Sequence, residues 1–268
     1  MLSRGGTGAR SIQKTLAWAG LFTMAVSLIW LELLPIPQRS RLTSAISTTH
    51  GPVALVIIDP GHGGQDSGAM RNGILEKDLT LDVARRVVRL AQAKGFTTKM
   101  TRSGDEWISL AGRAAAANRE HDCIFVSIHF DEGARAAATG VQTFYPVRQA
   151  TKTMSLPSWL PFLEPVATTS DNFESQSLAA FIQESLVAGT QAFNRGTRAE
   201  QFYVVANVRH PAVLVEGGFL SNNDDLVKLI TEEYRQQLAA AITEGLVRYR
   251  EIANQRQPTL AVGGATPE

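Results

Sequence analysis

Apolar positions along the chain form two kinds of run. Some are short, continuous and rich in β-branched residues; others recur every three or four positions. Val53 to Ile58 is of the first kind and is stopped by Asp59-Pro60-Gly61, the pattern of a strand buried on both faces. Leu79, Val83, Val87 and Leu90 are of the second kind, and Gly95 follows them, which predicts an amphipathic helix with a glycine stop. The alternation continues with Phe96 to Thr101 as a strand, the Ala-rich stretch from Leu110 to Arg119 as a helix, and Ile124 to Ile128 as a further buried strand. Beyond it, Val141 to Tyr145 reads as a strand, Leu178 to Phe193 as a helix ended by Gly196, and Phe202 to Val205 and Ala212 to Val215 as strands. Leu238, Ile242 and Leu246 mark a last helix running to about Tyr249. Strands alternating with helices imply an α/β domain with a largely parallel or mixed sheet covered by helices on both faces.

Other stretches break this pattern. At the N-terminus, Arg4, Arg10 and Lys14 precede an apolar run from Leu16 to Leu31, followed by Glu32 and Leu34-Pro35-Ile36-Pro37. Basic residues before an apolar core mark an export segment. The run falls between a signal-peptide core of at most about 15 residues and a spanning helix of about 20, so residues 1–37 read as either a signal peptide or a membrane anchor. Residues 38–51 are polar and Ser/Thr-rich, a linker. Residues 52–253 then read as the folded domain, and within it 146–176 shifts to Ser, Thr and Pro around Trp159 and Phe162, a connection long enough to be an insertion or lid. The tail, 254–268, has the composition of a disordered segment. With the basic flank left inside, the domain is expected in the periplasm or cell envelope, where residues 16–34 would contact the inner membrane if retained.

Composition narrows the chemistry. The chain has 268 residues and 26 basic against 25 acidic side chains, a net charge of +1. No basic excess is available to neutralise phosphates, so nucleic acid is set aside as a partner. Cys123 is the single cysteine; no intramolecular disulfide or Cys-rich zinc motif can form. Among apolar neighbours it reads as a small buried strand residue. Any metal must therefore be held by histidine and carboxylate.

Those residues cluster at predicted strand ends. His62 follows the first strand in Asp59-Pro60-Gly61-His62-Gly63-Gly64, and His129 ends the run Ile124 to Ile128. In open α/β sheets this carboxyl edge is where sites form. Glu76, just before the helix expected from Asp78, completes a two-histidine, one-glutamate set, which suits hydrolytic zinc and leaves a position open for water. Glu216 ends the apolar strand Ala212 to Val215; a carboxylate there is costly without a partner or a task, and it reads as a general base. The Gly-rich loop is no phosphate cradle, because Asp66 stands where a dinucleotide fingerprint needs Gly and no Gly-Lys-Ser/Thr follows. His121 and His210 read as surface residues and His50 as part of the linker.

Together, Ile58-Asp59-Pro60-Gly61-His62-Gly63-Gly64, Gly73-Ile74-Leu75-Glu76-Lys77-Asp78, Thr101-Arg102, Ala117-Asn118, Ser127-Ile128-His129 and Val215-Glu216-Gly217-Gly218-Phe219-Leu220-Ser221-Asn222 resemble the zinc-dependent N-acetylmuramoyl-L-alanine amidases of the cell-separation type. The resemblance spans about residues 52 to 250. It implies a three-layer α/β/α fold, phosphorylase/hydrolase-like, with one Zn²⁺ on His62, Glu76 and His129, Glu216 as catalytic residue, and peptidoglycan as substrate. Two alternatives stay open: a zinc peptidase acting within the stem peptide, and a wall-binding module without catalysis. The chain departs from the family's pattern after His129, where it has Phe130-Asp131-Glu132, which leaves substrate contacts there open. In some relatives a helix in the stretch matching 146–176 plugs the zinc site until an activator protein removes it; here several prolines and little periodicity before Phe173 make the helical pattern weak, and Glu164 would be the plug only if such a helix formed.

Overall fold

The computed structural model describes residues 54–131, 138–149 and 172–255. In chain order these form β1 (Leu55–Pro60), β2 (Met70–Arg71), β3 (Ile74–Leu75), α1 (Glu76–Ala93), β4 (Thr97–Met100), α2 (Leu110–Asn118), β5 (Ile124–Asp131), β6 (Val141–Tyr145), α3 (Phe173–Thr190), β7 (Asn194–Ala199), α4 (Tyr203–Ala206), β8 (Ala212–Phe219), α5 (Asn223–Leu229) and α6 (Glu232–Gln255). The main sheet has six strands in the order β4-β1-β5-β8-β6-β7. β4, β1, β5 and β8 run parallel, β6 pairs antiparallel with β8, and β7 runs parallel to β6. β2 and β3 make a separate small hairpin leading into α1.

Strand alternation sorts the apolar residues into two layers. Val56, Ile58, Ile124, Val126, Ile128, Val213 and Val215 join α1, α3 and α6 in one buried cluster. Ile57, Phe125, Phe144, Ala212 and Leu214 join α2 and α4 in the other. The architecture is thus three-layer α/β/α around a mixed, largely parallel sheet. The second layer is thinner, with α2 of nine residues and α4 of four.

Several expectations need correction. Phe202 to Val205 is not a strand but the entry into α4; a single helical turn carries no periodicity to oppose the β propensity of Phe-Tyr-Val-Val. The helix before it ends at Thr190, with Gln191 rather than Gly196 in the left-handed conformation at its C-cap, and Gly196 lies inside the edge strand β7. His210 is buried, not a surface residue; it precedes Pro211, whose carbonyl receives the Phe125 N–H at the base of the central strands. No helix of the described residues is long and apolar enough to cross a membrane. The N-terminal segment, the linker, residues 150–171 of the insertion with Glu164, and the tail beyond Gln255 lie outside the described residues.

Candidate active site

Parallel strands deliver their carboxyl ends to one edge. β1 ends next to β5, with Asp59 opposite Ser127 and Pro60 opposite Ile128, and β5 ends next to β8, with His129 opposite Glu216. The loop after β1 is held by buried charge. Asp59 accepts hydrogen bonds from Arg113 Nη1 at 2.8 Å, Ser127 Oγ at 2.8 Å and Thr101 Oγ1. Arg113 also donates to the carbonyls of Pro60 and His62, while Arg102 donates to those of Pro60 and Gly61. His62 consequently sits at a positive φ of 59°, a conformation that a non-glycine residue keeps only where its surroundings impose it.

The ligand set assembles inside this frame. His62, Glu76 and His129 each offer a ligand atom, and those atoms lie within 4.8 Å of one another. His62 Nε2 is 3.1 Å from Glu76 Oε2, His129 Nδ1 is 2.9 Å from Glu76 Oε1, and the two rings meet edge to face at 4.8 Å. Glu76, the first residue of α1 and 4% exposed, also receives the N–H groups of Ala69 and Phe130. The approach is close enough to require glycine twice. A Cβ on Gly61 would lie 2.3 Å from the His129 ring, and one on Gly68 would lie 2.5 Å from both Glu76 and His62.

Asp66 went unread as a site residue in the sequence. His62 Nδ1 lies 2.9 Å from its Oδ2, an acceptor that favours the proton on Nδ1 and so frees Nε2 of the neutral ring for a metal, the arrangement that orients metal-binding histidines. Arg113, equally unforeseen, joins Asp59, His62, Asp66, Trp107, Leu110, His129 and Val204 around a cavity of about 120 Å³.

Electrostatics divide the acidic groups. Burial would raise Glu76, but the hydrogen bonds and charges of His129 and His62 hold its carboxyl well below the usual carboxylate range. His62 is likewise opposed by burial yet raised above its ordinary value by Glu76 and then Asp66. Glu216 goes the other way: burial first, then the charges of Glu76 and Asp131, push it well above the carboxylate range. Its Oε2 is a buried oxygen with no hydrogen-bond partner.

The donor set fits a divalent cation. Two imidazoles and a carboxylate, from the braced loop after β1, the first turn of α1 and β5, match the ligand types and number of hydrolytic zinc sites. A dication at this cluster would also place positive charge near Glu216, which its present surroundings oppose ionising. His121, as read, is exposed and takes no part.

Known proteins resemble this chain in both sequence and fold. Residues 56–248 match the family model described as N-acetylmuramoyl-L-alanine amidase. The chain is 36% identical over 194 residues to the uncharacterized protein YqiI of Bacillus subtilis, covering 72% of this chain and 84% of that one. It is 32% identical over 224 residues to the N-acetylmuramoyl-L-alanine amidase AmiA of Escherichia coli, covering 74% and 77%. Among solved structures, the CwlD amidase of Clostridioides difficile in complex with the GerS lipoprotein superposes with a TM-score of 0.63 at 27% identity, covering 74% of this chain and 99% of that one.

Proposed function

Because the chain belongs to the N-acetylmuramoyl-L-alanine amidase family, we infer that it cuts peptidoglycan between N-acetylmuramic acid and L-alanine using one Zn²⁺ on His62, Glu76 and His129. The observation that carries the zinc reading is the convergence of those three ligand atoms within 4.8 Å, with a second buried carboxylate, Glu216, that keeps one oxygen without a hydrogen-bond partner. Zinc in such a site supplies Lewis acidity, lowering the pKa of water and drawing charge from an amide carbonyl. The chain's residues supply the rest. Asp66 fixes the His62 tautomer through Nδ1. Arg102 and Arg113 lock the loop that carries His62, so the ligands meet without reorganisation. In this reading Glu216 takes the proton of the attacking water and returns it to the departing L-alanine amine, completing hydrolysis as the amide C–N bond breaks.

Residues 1–37 support export, with residues 38–51 as linker and the catalytic domain in the cell envelope, where the substrate lies. The complex of CwlD with a lipoprotein supports a protein partner for this chain as well. The reading is tested by digesting purified sacculi with and without a chelator and weighing the products. Intact stem peptides released from the glycan, lost with chelator and restored by zinc, are expected; shortened peptides would assign the activity to a bond within the stem instead.

A further inference from the structure

A groove of about 400 Å³ lies between α2 and α4, walled by Ala111, Ala115, Asn118, Arg119, Tyr203 and Arg209 among others. Those two helices also wall the ligand cavity, through Leu110, Arg113 and Val204. Strand alternation relates the two spaces. Phe125 and Leu214 point into the layer of α2 and α4, so His129 and Glu216, four and two positions on in the same strands, face that layer too. The site therefore opens on the side of the sheet where the groove lies.

The groove is built and charged. Asn118 Nδ2 donates to the Asn207 carbonyl at 2.7 Å, and its Oδ1 receives the Arg209 N–H at 2.8 Å, which ties the end of α2 to the turn after α4 and sets where Arg209 begins. Arg119 and Arg209 are exposed; among the described residues, no carboxylate forms an ion pair with either. Along α2, Leu110 in the cavity and Arg119 at the far end are roughly 14 Å apart at ~1.5 Å per residue, the reach of about four residues of extended peptide at roughly 3.3–3.6 Å each.

We propose that this groove is a subsite for the stem peptide, on the amine side of the cleaved bond, with Arg119 and Arg209 taking a carboxylate borne a few residues beyond the L-alanine. It rests on the amidase activity and adds the direction in which substrate lies. Charge decides between the two halves of the substrate: the lactyl carboxyl of the sugar is consumed in the amide, leaving a glycan side of neutral hydroxyl and acetamido groups, whereas the peptide side keeps free carboxylates that a guanidinium pair binds with direction as well as charge.

The test uses the zinc-loaded full chain and two synthetic muramoyl peptides that differ only in whether the carboxylates beyond L-alanine are free or amidated. Wild type is expected to prefer the free acid about tenfold in kcat/KM, through KM. The Arg119→Ala, Arg209→Ala double variant should lose that preference while cleaving the amidated peptide within about twofold of wild type. Equal turnover of both peptides by wild type, or a preference that survives the double variant, overturns the proposal. Should the double variant melt early, Arg119→Gln and Arg209→Gln singly carry the same comparison. If wild type cleaves neither peptide, the amidase reading fails instead, and calorimetric binding of the two peptides still reads the groove: tighter binding of the free acid supports it, and equal binding removes it.

Discussion

Glu76 and Glu216 stand at the same edge of the sheet, both almost inaccessible to solvent, and their surroundings drive them in opposite directions. Glu76 is tied by two imidazoles and two backbone N–H groups and stays ionised. Glu216 has an oxygen without a partner and is held toward the protonated form. A pair of carboxylates pushed apart in this way separates roles: one whose charge is needed where it stands, and one that can exchange a proton.

The comparison is broken most severely from the Glu76 side. Glu76→Ala should abolish sacculus digestion and zinc binding together, because it removes a ligand and strands two buried N–H groups at about 1–3 kcal/mol each. Metal content by mass spectrometry and a lowered melting temperature check it. Retained stoichiometric zinc would mean that another group completes the set.

Glu216→Gln is expected to separate what Glu76→Ala destroys jointly. Zinc content should stay at one per chain while kcat falls by about 10²–10⁴, the usual contribution of a positioned acid–base group. The melting temperature of the metal-free protein should not fall, since an amide of the same size replaces a carboxylate whose charge its burial opposes. A variant that digests sacculi at the wild-type rate would take Glu216 out of the chemistry.

Asp66→Asn probes the ligand side more gently. It keeps the volume but removes the charge that holds His62 Nδ1, so zinc affinity, read by competition with a chromophoric chelator, should weaken about 10–100-fold. Unchanged affinity would show that the loop alone orients His62.

The site's outline was legible because three of its four expected residues stand where apolar runs stop: the runs read as buried strands became β1, β5 and β8, with His62 just past the end of β1 and His129 and Glu216 in the later parts of β5 and β8. What holds them was not. Asp66 lies four residues from His62 in a non-helical loop, and no period links such positions. The partners of Arg113 at the site, Asp59 and His62, lie more than fifty positions away, a contact that exists only once β1 and α2 have packed. In the fold, β7 has no apolar residue besides Ala199; as an exposed edge strand it buries almost nothing and leaves no hydrophobic signature. The same thinness of signal explains α4, misread from four residues.

The mildest perturbation concerns the opposite end of β5. Cys123 immediately precedes the strand, whereas His129 lies near its other end, six residues or roughly 20 Å away at ~3.3 Å per residue. The thiol is buried and donates to the Ala117 carbonyl. Burial, reinforced by the charges of Glu120 and Asp122, pushes it from 9.0 up to about 12, so at neutral pH almost no thiolate is present to attack anything. Cys123→Ala should therefore leave digestion of sacculi within about twofold of wild type, at a stability cost of about 1 kcal/mol for a small buried group. The pH dependence has a defined sign. The folded chain holds this proton more tightly than the unfolded chain does, so the thiol's contribution is complete below about pH 9 and is lost as pH rises from there toward 12. Wild type should lose melting temperature faster than Cys123→Ala across that interval; parallel melting curves, or rapid modification of the native thiol at pH 7, would mean that this end of the strand is open to solvent.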